Sequence, residues 1–147
     1  MSPADLLAFL CRHRLAVQAS NGARGQPQAA VVGFAVSDRF ELVFDTLEQT
    51  RKAVNLRRDP RCALVIGWDD EQTAQIEGVA DEPQGAELAR LQVHYFAAFP
   101  DGREREHWPG ITWFRVRPEW IRYTDFRPAS QHTVEFRAAD LRPRATQ

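Results

Sequence analysis

Thr50, Arg51 and Lys52 stand side by side, with Thr46 one helical turn before them. A hydroxyl, a guanidinium and an ammonium at a helix start make a phosphate cradle. The side chains supply charge-assisted hydrogen bonds, and the helix N-terminus favours an anion. Lys52 is the single lysine among nineteen basic residues. Arginine serves wherever a generic positive charge will do, so one retained lysine points to a site wanting a compact ammonium with rotatable donors. The same residues also suit an ordinary capped surface helix, and locally both readings stand.

Other chemistries find little support. His13, His94, His107 and His132 have no short ligand spacing and no Cys-x-x-Cys occurs, so no metal site is expected. Neither cysteine carries a nucleophile signature, and there is no Gly-x-Ser-x-Gly elbow. Without a Gly-x-Gly-x-x-Gly or Walker-type loop, a nucleotide would not bind in the Rossmann or P-loop manner. No catalytic acid or base can be named. Trp108, Trp113, Trp120 and Tyr123 could stack on a planar ligand or pack in a core or subunit contact.

The 147 residues are 44% hydrophobic and 27% charged, a composition for one globular domain. A net charge of −1 argues against broad electrostatic binding to nucleic acid or to an anionic membrane. No window reaches the roughly 18 apolar residues of a membrane span, and Met1 to Asp5 lacks the basic region of a signal peptide. Cys11 and Cys62, far apart in unrelated patterns, read as reduced, buried thiols of a cytoplasmic protein.

The elements that must position these residues follow from pattern and punctuation. Ser2-Pro3-Ala4-Asp5 starts a helix carrying Leu6, Leu7, Phe9 and Leu10. A strand from Leu15 to Ser20 and a turn at residues 21–27 lead into a second strand, Gln28 to Val36. Both faces of that strand are apolar and predict burial on both sides, and Gly33 lets something flat approach its backbone. Phe40 to Asp45 pairs back on it. Thr46, with Gln49 three residues on, predicts a capping box for a helix that Asp59-Pro60 ends; Ala53, Val54 and Leu56 form its apolar side. Arg61 to Trp68 and Thr73 to Ala80 predict a hairpin around an acidic turn. Pro83 to Phe99 is the longest helical segment, with Leu88, Leu91 and Tyr95 on one stripe broadened by Val93 and Phe96, and a Glu87–Arg90 pair. Residues 103–107 are charged and expected to be exposed. Ile111 to Arg117 and Glu119 to Phe126 predict two strands broken at Pro118, a last strand spans Thr133 to Phe136, and residues 138–147 form a loose tail. The sum is a mainly β, α+β domain over residues 1–137: an antiparallel split β-barrel of about six or seven strands with three flanking helices.

Four stretches carry a family resemblance: Pro27 to Phe34, Phe44 to Pro60, Ala63 to Ile66 and Gln75 to Ala80. Together they resemble the pyridoxamine 5'-phosphate oxidase-like family of FMN-binding split barrels over most of residues 1–126. The most specific part is Thr-x-x-x-Thr-Arg-Lys-x-x-Asn-Leu-x-x-Asp-Pro at Thr46 to Pro60. The later run Val116 to Tyr123 is similar to the closing strands of the smaller members. The resemblance implies a flavin-dependent oxidoreductase acting on a small molecule; the arginine-heavy usage points to a GC-rich bacterial source. The resemblance also implies a homodimer with the cofactor at the subunit interface. Thr50, Arg51 and Lys52 would hold the FMN phosphate, Asp45 and Thr46 would lie beside the flavin, and Thr73 or Gln75 would reach it from the paired strand. Residues 30–34 would present backbone to the ring. The authentic oxidases carry an arginine on the second strand, an aromatic at the position of Asp45, and an Arg and His pattern near the C-terminus. None of these is present, which points away from pyridoxamine phosphate as substrate. On the same barrel the alternatives are reduction with deazaflavin F420, for which Arg57 and Arg58 are the extra basic groups, or a non-catalytic dimer binding flavin or haem.

Overall fold

Ser2 caps the first helix, α1 (Pro3–Cys11): its hydroxyl accepts from the Asp5 amide, and the Asp5 carboxylate accepts from the Ser2 amide. In this computed structural model, which describes residues 1–142, α1 turns Leu6, Phe9 and Leu10 into the main core beside Ile66 and Tyr123. The strands are β1 (Leu15–Asn21), β2 (Pro27–Gly33), β3 (Ala35–Val36), β4 (Leu42–Leu47), β5 (Arg61–Ile66), β6 (Gln72–Asp81), β7 (Ile111–Asp125) and β8 (His132–Arg137). The helices after α1 are α2 (Arg51–Arg58), α3 (Gly85–Ala98) and α4 (Gly102–Arg105). All strand pairs are antiparallel, in the order β2-β1-β5-β6-β7-β4-β3, with β8 also on β7. Because β3 follows β2 directly, the two ends of that order come from one stretch of chain. The sheet therefore curls toward itself as a split barrel.

Two apolar clusters result. Phe34, Leu42, Phe44, Leu64, Ile76, Phe114 and Ile121 fill the concave side with α1 and with Ala53 and Leu56 of α2. Ala35, Val43 and Trp113 point the other way and are covered by Leu91, Tyr95 and Phe96 of α3. Where α3 lies, β4 and β7 are buried on both faces. Elsewhere the outer face is bare. Val31 is 59% exposed, Leu15 49% and Val65 38%.

Several expectations change. The strand expected to be buried on both sides is largely exposed along β2, because no helix covers it. The flat group that meets Gly33 is the chain's own Phe99 ring, 3.0 Å from where a Cβ would stand. The predicted break at Pro118 is a bulge within one continuous strand. Gly78 pairs with Pro118 and Glu77 with Trp120, leaving Glu119 as the extra residue. Gly78 is required there, since a Cβ would sit 2.7 Å from the Arg117 carbonyl oxygen. The expected antiparallel split barrel is present; among the described residues it has seven strands in the curled sheet with β8 added on β7, and a fourth helix, α4, lies in the stretch expected to be exposed. Val54 and Val93, assigned to buried stripes, are 50% and 68% exposed. Cys62 is buried but Cys11 is exposed. In the segment expected to be loose, residues 138–142 fold back on β8 and seat Leu141 in the core, and residues 143–147 lie outside the described residues.

Candidate functional site

The helix carrying Arg51 and Lys52 starts four residues later than the capping-box pattern predicts. Thr46 and Leu47 are held in β4 by pairing with Thr112 and Ile111 of β7, so Thr50 becomes the N-cap. The Thr50 hydroxyl donates to the Leu47 carbonyl at 2.9 Å and accepts from the Ala53 amide. Its one proton is thereby committed, so in the 2.9 Å Thr46–Thr50 contact Thr46 is the donor. Thr50 sets where α2 begins. Arg51 and Lys52 then occupy the first turn, where backbone amides have no intrahelical partner. Among the described residues neither side chain makes an ion pair.

The neighbouring arginines are engaged. Arg57 binds Glu82 and Glu48 at 2.6 and 3.1 Å. Arg58 donates to the Asn21 carbonyl and to Asn55 Oδ1. Arg57 and Arg58 therefore do not stand free as the extra basic groups a longer acidic cofactor tail would need.

Beneath Arg51 and Lys52 lies a cleft of about 280 Å³ against the concave face of the β1–β2 hairpin, where Gln18, Ser20, Gln28 and Asn55 present polar atoms. Asn55, buried in α2, donates to Ser20 Oγ at 3.1 Å and to Gln28 Oε1 at 2.6 Å. A second groove of about 310 Å³ shares Gln28, Arg51 and Asn55. The small side chains of Ala29 and Ala30 leave β2 open along the cleft. A phosphate fits this end on charge and access: two unpaired cations, free helix-terminal amides and no carboxylate in the lining. A larger cavity, about 830 Å³ between α1 and β8, includes Asp38, Glu135 and Asp140 in its lining and suits an anion poorly.

The sequence signal for the amide cluster was weak but present. Gln18 and Ser20 alternate with Ala16 on the buried face of β1, and Asn55 interrupts the apolar side of α2.

The other expected residues lie apart from the cleft. Asp45 is turned toward α3 and α4. It accepts from the Tyr95 hydroxyl at 2.9 Å and from Arg105 Nε at 3.3 Å. Burial, and after it the Asp45 carboxylate, push the Tyr95 phenol well above its ordinary value. Asp45 is thus part of a latch fixing α3 and α4 to β4. Gln75 sits on the outer face of β6 in the row Val31–Val17–Val65–Gln75–Arg122. Thr73 shares that face, and its hydroxyl donates to the Ile66 carbonyl at 3.5 Å. Within one chain neither reaches Arg51 or Lys52. Among the described residues no group of three His, Cys, Asp or Glu is placed to hold a metal ion, and no helix is long and apolar enough to cross a membrane.

A second polar cluster, which the sequence reading missed apart from its Glu87–Arg90 pair, lies under α3. Arg115, 5% exposed, donates to Asp81, Glu41 and Glu87 at 2.7–3.1 Å. Arg90 binds Glu41 and Glu87, and Arg117 binds Asp81. Burial works to raise the Glu41 carboxyl, but hydrogen bonds from Arg90, Ser37 and Arg115 outweigh it and hold it below the ordinary carboxylate range.

Comparison with known proteins agrees with this architecture. A family model described as pyridoxamine 5'-phosphate oxidase matches residues 2–125. A pyridoxine/pyridoxamine 5'-phosphate oxidase from Cupriavidus metallidurans is 27% identical over 146 residues, covering 78% of this chain and 68% of the relative. Among solved structures, a heme binding protein from Mycobacterium smegmatis superposes with a TM-score of 0.82 at 17% identity, over 96% of this chain and 60% of that one. A conserved hypothetical protein from Mycobacterium tuberculosis does so with a TM-score of 0.74 at 27% identity, over 90% of each chain.

Proposed function

The chain belongs to the pyridoxamine 5'-phosphate oxidase family, and on that premise we propose that it binds FMN and acts as a flavin-dependent oxidoreductase on a small molecule. The observation that carries this reading is the pair of unpaired cations, Arg51 and Lys52, on the first turn of α2 above an amide-lined cleft. They would hold the phosphate, Thr50 would fix the helix start that aims them, and the open β2 backbone would admit the rest of the cofactor. Bound FMN supplies the redox step; the chain's own residues bind it, orient it and limit solvent access.

The bare outer face supports a homodimer as part of the same proposal. Leu15, Val17, Val31 and Val65, with Ala19, Ala29 and Ala63 in the adjoining row, form an apolar surface that no helix covers. Thr73 and Gln75 stand on that face, so a cofactor at the subunit contact would meet them there.

The fold is shared with a protein described as heme binding, which makes haem the competing ligand. Haem iron takes an axial imidazole, thiolate, thioether or phenolate, and none of these lines the cleft. The absorption spectrum separates the readings. Protein reconstituted with FMN and desalted is expected to keep a flavin spectrum at one flavin per chain and to bleach on reduction. A retained haem spectrum with no flavin uptake would overturn the proposal.

A further inference from the structure

Beside the ion-pair network under α3 lies a cavity of about 370 Å³ that shares no lining residue with the cleft under α2. Five arginines line it, Arg39, Arg90, Arg115, Arg117 and Arg142, against two carboxylates, Glu41 and Glu87. The network accounts for three of these arginines. Arg90 and Arg115 share Glu41 and Glu87, and Arg115 and Arg117 share Asp81. Arg39 and Arg142 form no ion pair among the described residues. The acids near them in the chain, Asp38 and Asp140, line the larger cavity between α1 and β8 and not this one. Asp140 is also engaged by the Arg137 amide at 2.7 Å.

Both arginines are exposed at the ends of anchored backbone. Arg39 sits on a turn that the Ser37 amide closes on the Glu41 carbonyl at 2.8 Å, and its own amide donates to Ser37 Oγ at 3.2 Å. The next residue, Phe40, is 5% exposed and holds a φ of 61°, a conformation that a bulky side chain adopts only when its surroundings impose it. Arg142 follows Leu141, also 5% exposed, on the fold-back that the Ala138 amide ties to the Glu119 carbonyl at 3.1 Å. Phe40 and Leu141, with Pro118, also give the cavity apolar walls.

The donors left for a ligand are guanidinium groups. The amides of Arg39, Phe40, Glu41, Ala138 and Leu141 are spent on oxygens of Ser37, Glu119 and Ala138. No lysine lines the cavity. The α2 end, with its lysine and free helix-terminal amides, suits a phosphate; here planar forks suit carboxylates, each gripped by two parallel hydrogen bonds. Two forks on separate segments, beside apolar walls, match two carboxylates joined by a short hydrocarbon spacer. The volume is that of a small-molecule site. We propose that this cavity binds a short organic dicarboxylate, one carboxylate on Arg39 and the other on Arg142. The site stands whether or not the α2 cleft holds flavin.

The test titrates succinate, adipate, butyrate and inorganic phosphate by calorimetry at low salt into wild type, R39A/R142A and R51A/K52A. A charge-assisted contact corresponds to about tenfold or more in affinity. At least one dicarboxylate is expected to bind wild type saturably, about tenfold or more tighter than butyrate, which has one carboxylate, and tighter than phosphate. R39A/R142A is expected to lose about 100-fold from its two contacts, and R51A/K52A to bind as wild type does. No saturable binding of either dicarboxylate, or a preference for phosphate, overturns the proposal. Unchanged affinity in R39A/R142A does the same, and a loss confined to R51A/K52A places the anion in the α2 cleft instead. Should R39A/R142A not fold, the wild-type preference and its persistence in R51A/K52A decide.

Discussion

The buried polar clusters under α3 and under α2 are finished differently. Under α3, Arg115 meets carboxylates from the residue before β4, from β6 and from the first turn of the helix, and three acids face three arginines. Among the described residues one atom there, Arg90 Nε, lacks a partner. Under α2, a neutral amide cluster is left with one buried acceptor, Gln18 Oε1, unpaired, and the two cations above it form no ion pair among the described residues. The first arrangement fixes a helix to a sheet. The second has charges and hydrogen-bonding capacity that the chain does not use, as a binding site requires. A completed network resists change, whereas an incomplete one is stabilised by what enters it.

The sharpest way to break this distinction is Arg115→Ala. Glu41 keeps Arg90 and Asp81 keeps Arg117, but both lose the buried guanidinium that they share, and the expected loss is about 3 kcal/mol of folding stability, read by chemical denaturation. A loss below about 1 kcal/mol would mean that the network is not structural. Asn55→Ala addresses the other cluster. It strands the Gln28 and Ser20 oxygens, and the expected loss is about 1–2 kcal/mol, smaller because the hydrogen bonds lost are between neutral groups. A larger loss than for Arg115→Ala would reverse the comparison.

The pH dependence follows from the same contrast. The folded-state carboxyls of Glu41 and Asp81 are held below their unfolded values. Burial opposes this in both, and the hydrogen bonds of Arg90, Ser37 and Arg115 for Glu41, and of Arg115 and Arg117 for Asp81, prevail. Their contribution is therefore present above the ordinary carboxylate range and is lost as pH falls through the lowered folded-state values. The melting temperature is expected to hold between about pH 5 and 8 and to drop below about pH 4, with a shallower drop in R115A than in wild type. An equal acid slope in both would separate the acid sensitivity from this network.

What was legible in the sequence was local. The capped start of α1 and the strand of β6 follow from neighbours in the chain. The Thr50-Arg51-Lys52 run could be read as an anion site before any fold was known. The start of α2 could not be placed, because Thr46 and Gln49 make a good capping box and only pairing with β7 keeps Thr46 in a strand. Burial on both faces was assigned to the wrong strand for a similar reason. Apolar content says that a face can be covered, and here α3 covers β4 and β7 while β2 is left bare. Arg115 gave no local sign, since its partners are 28 or more positions away. Asp45 gave no local sign of its partners either, since Tyr95 and Arg105 lie 50 and 60 positions away.

The open cluster is tested most directly by titrating FMN into wild type, R51A/K52A and R57A. Arg51 and Lys52 are unpaired whereas Arg57 is engaged by Glu48 and Glu82, so the effects should differ. The double variant is expected to lose about 100-fold in affinity, from two charge-assisted contacts, with its stability changed by less than about 0.5 kcal/mol. R57A is expected to bind FMN as wild type does. Equal FMN affinity in wild type and R51A/K52A would contradict the account.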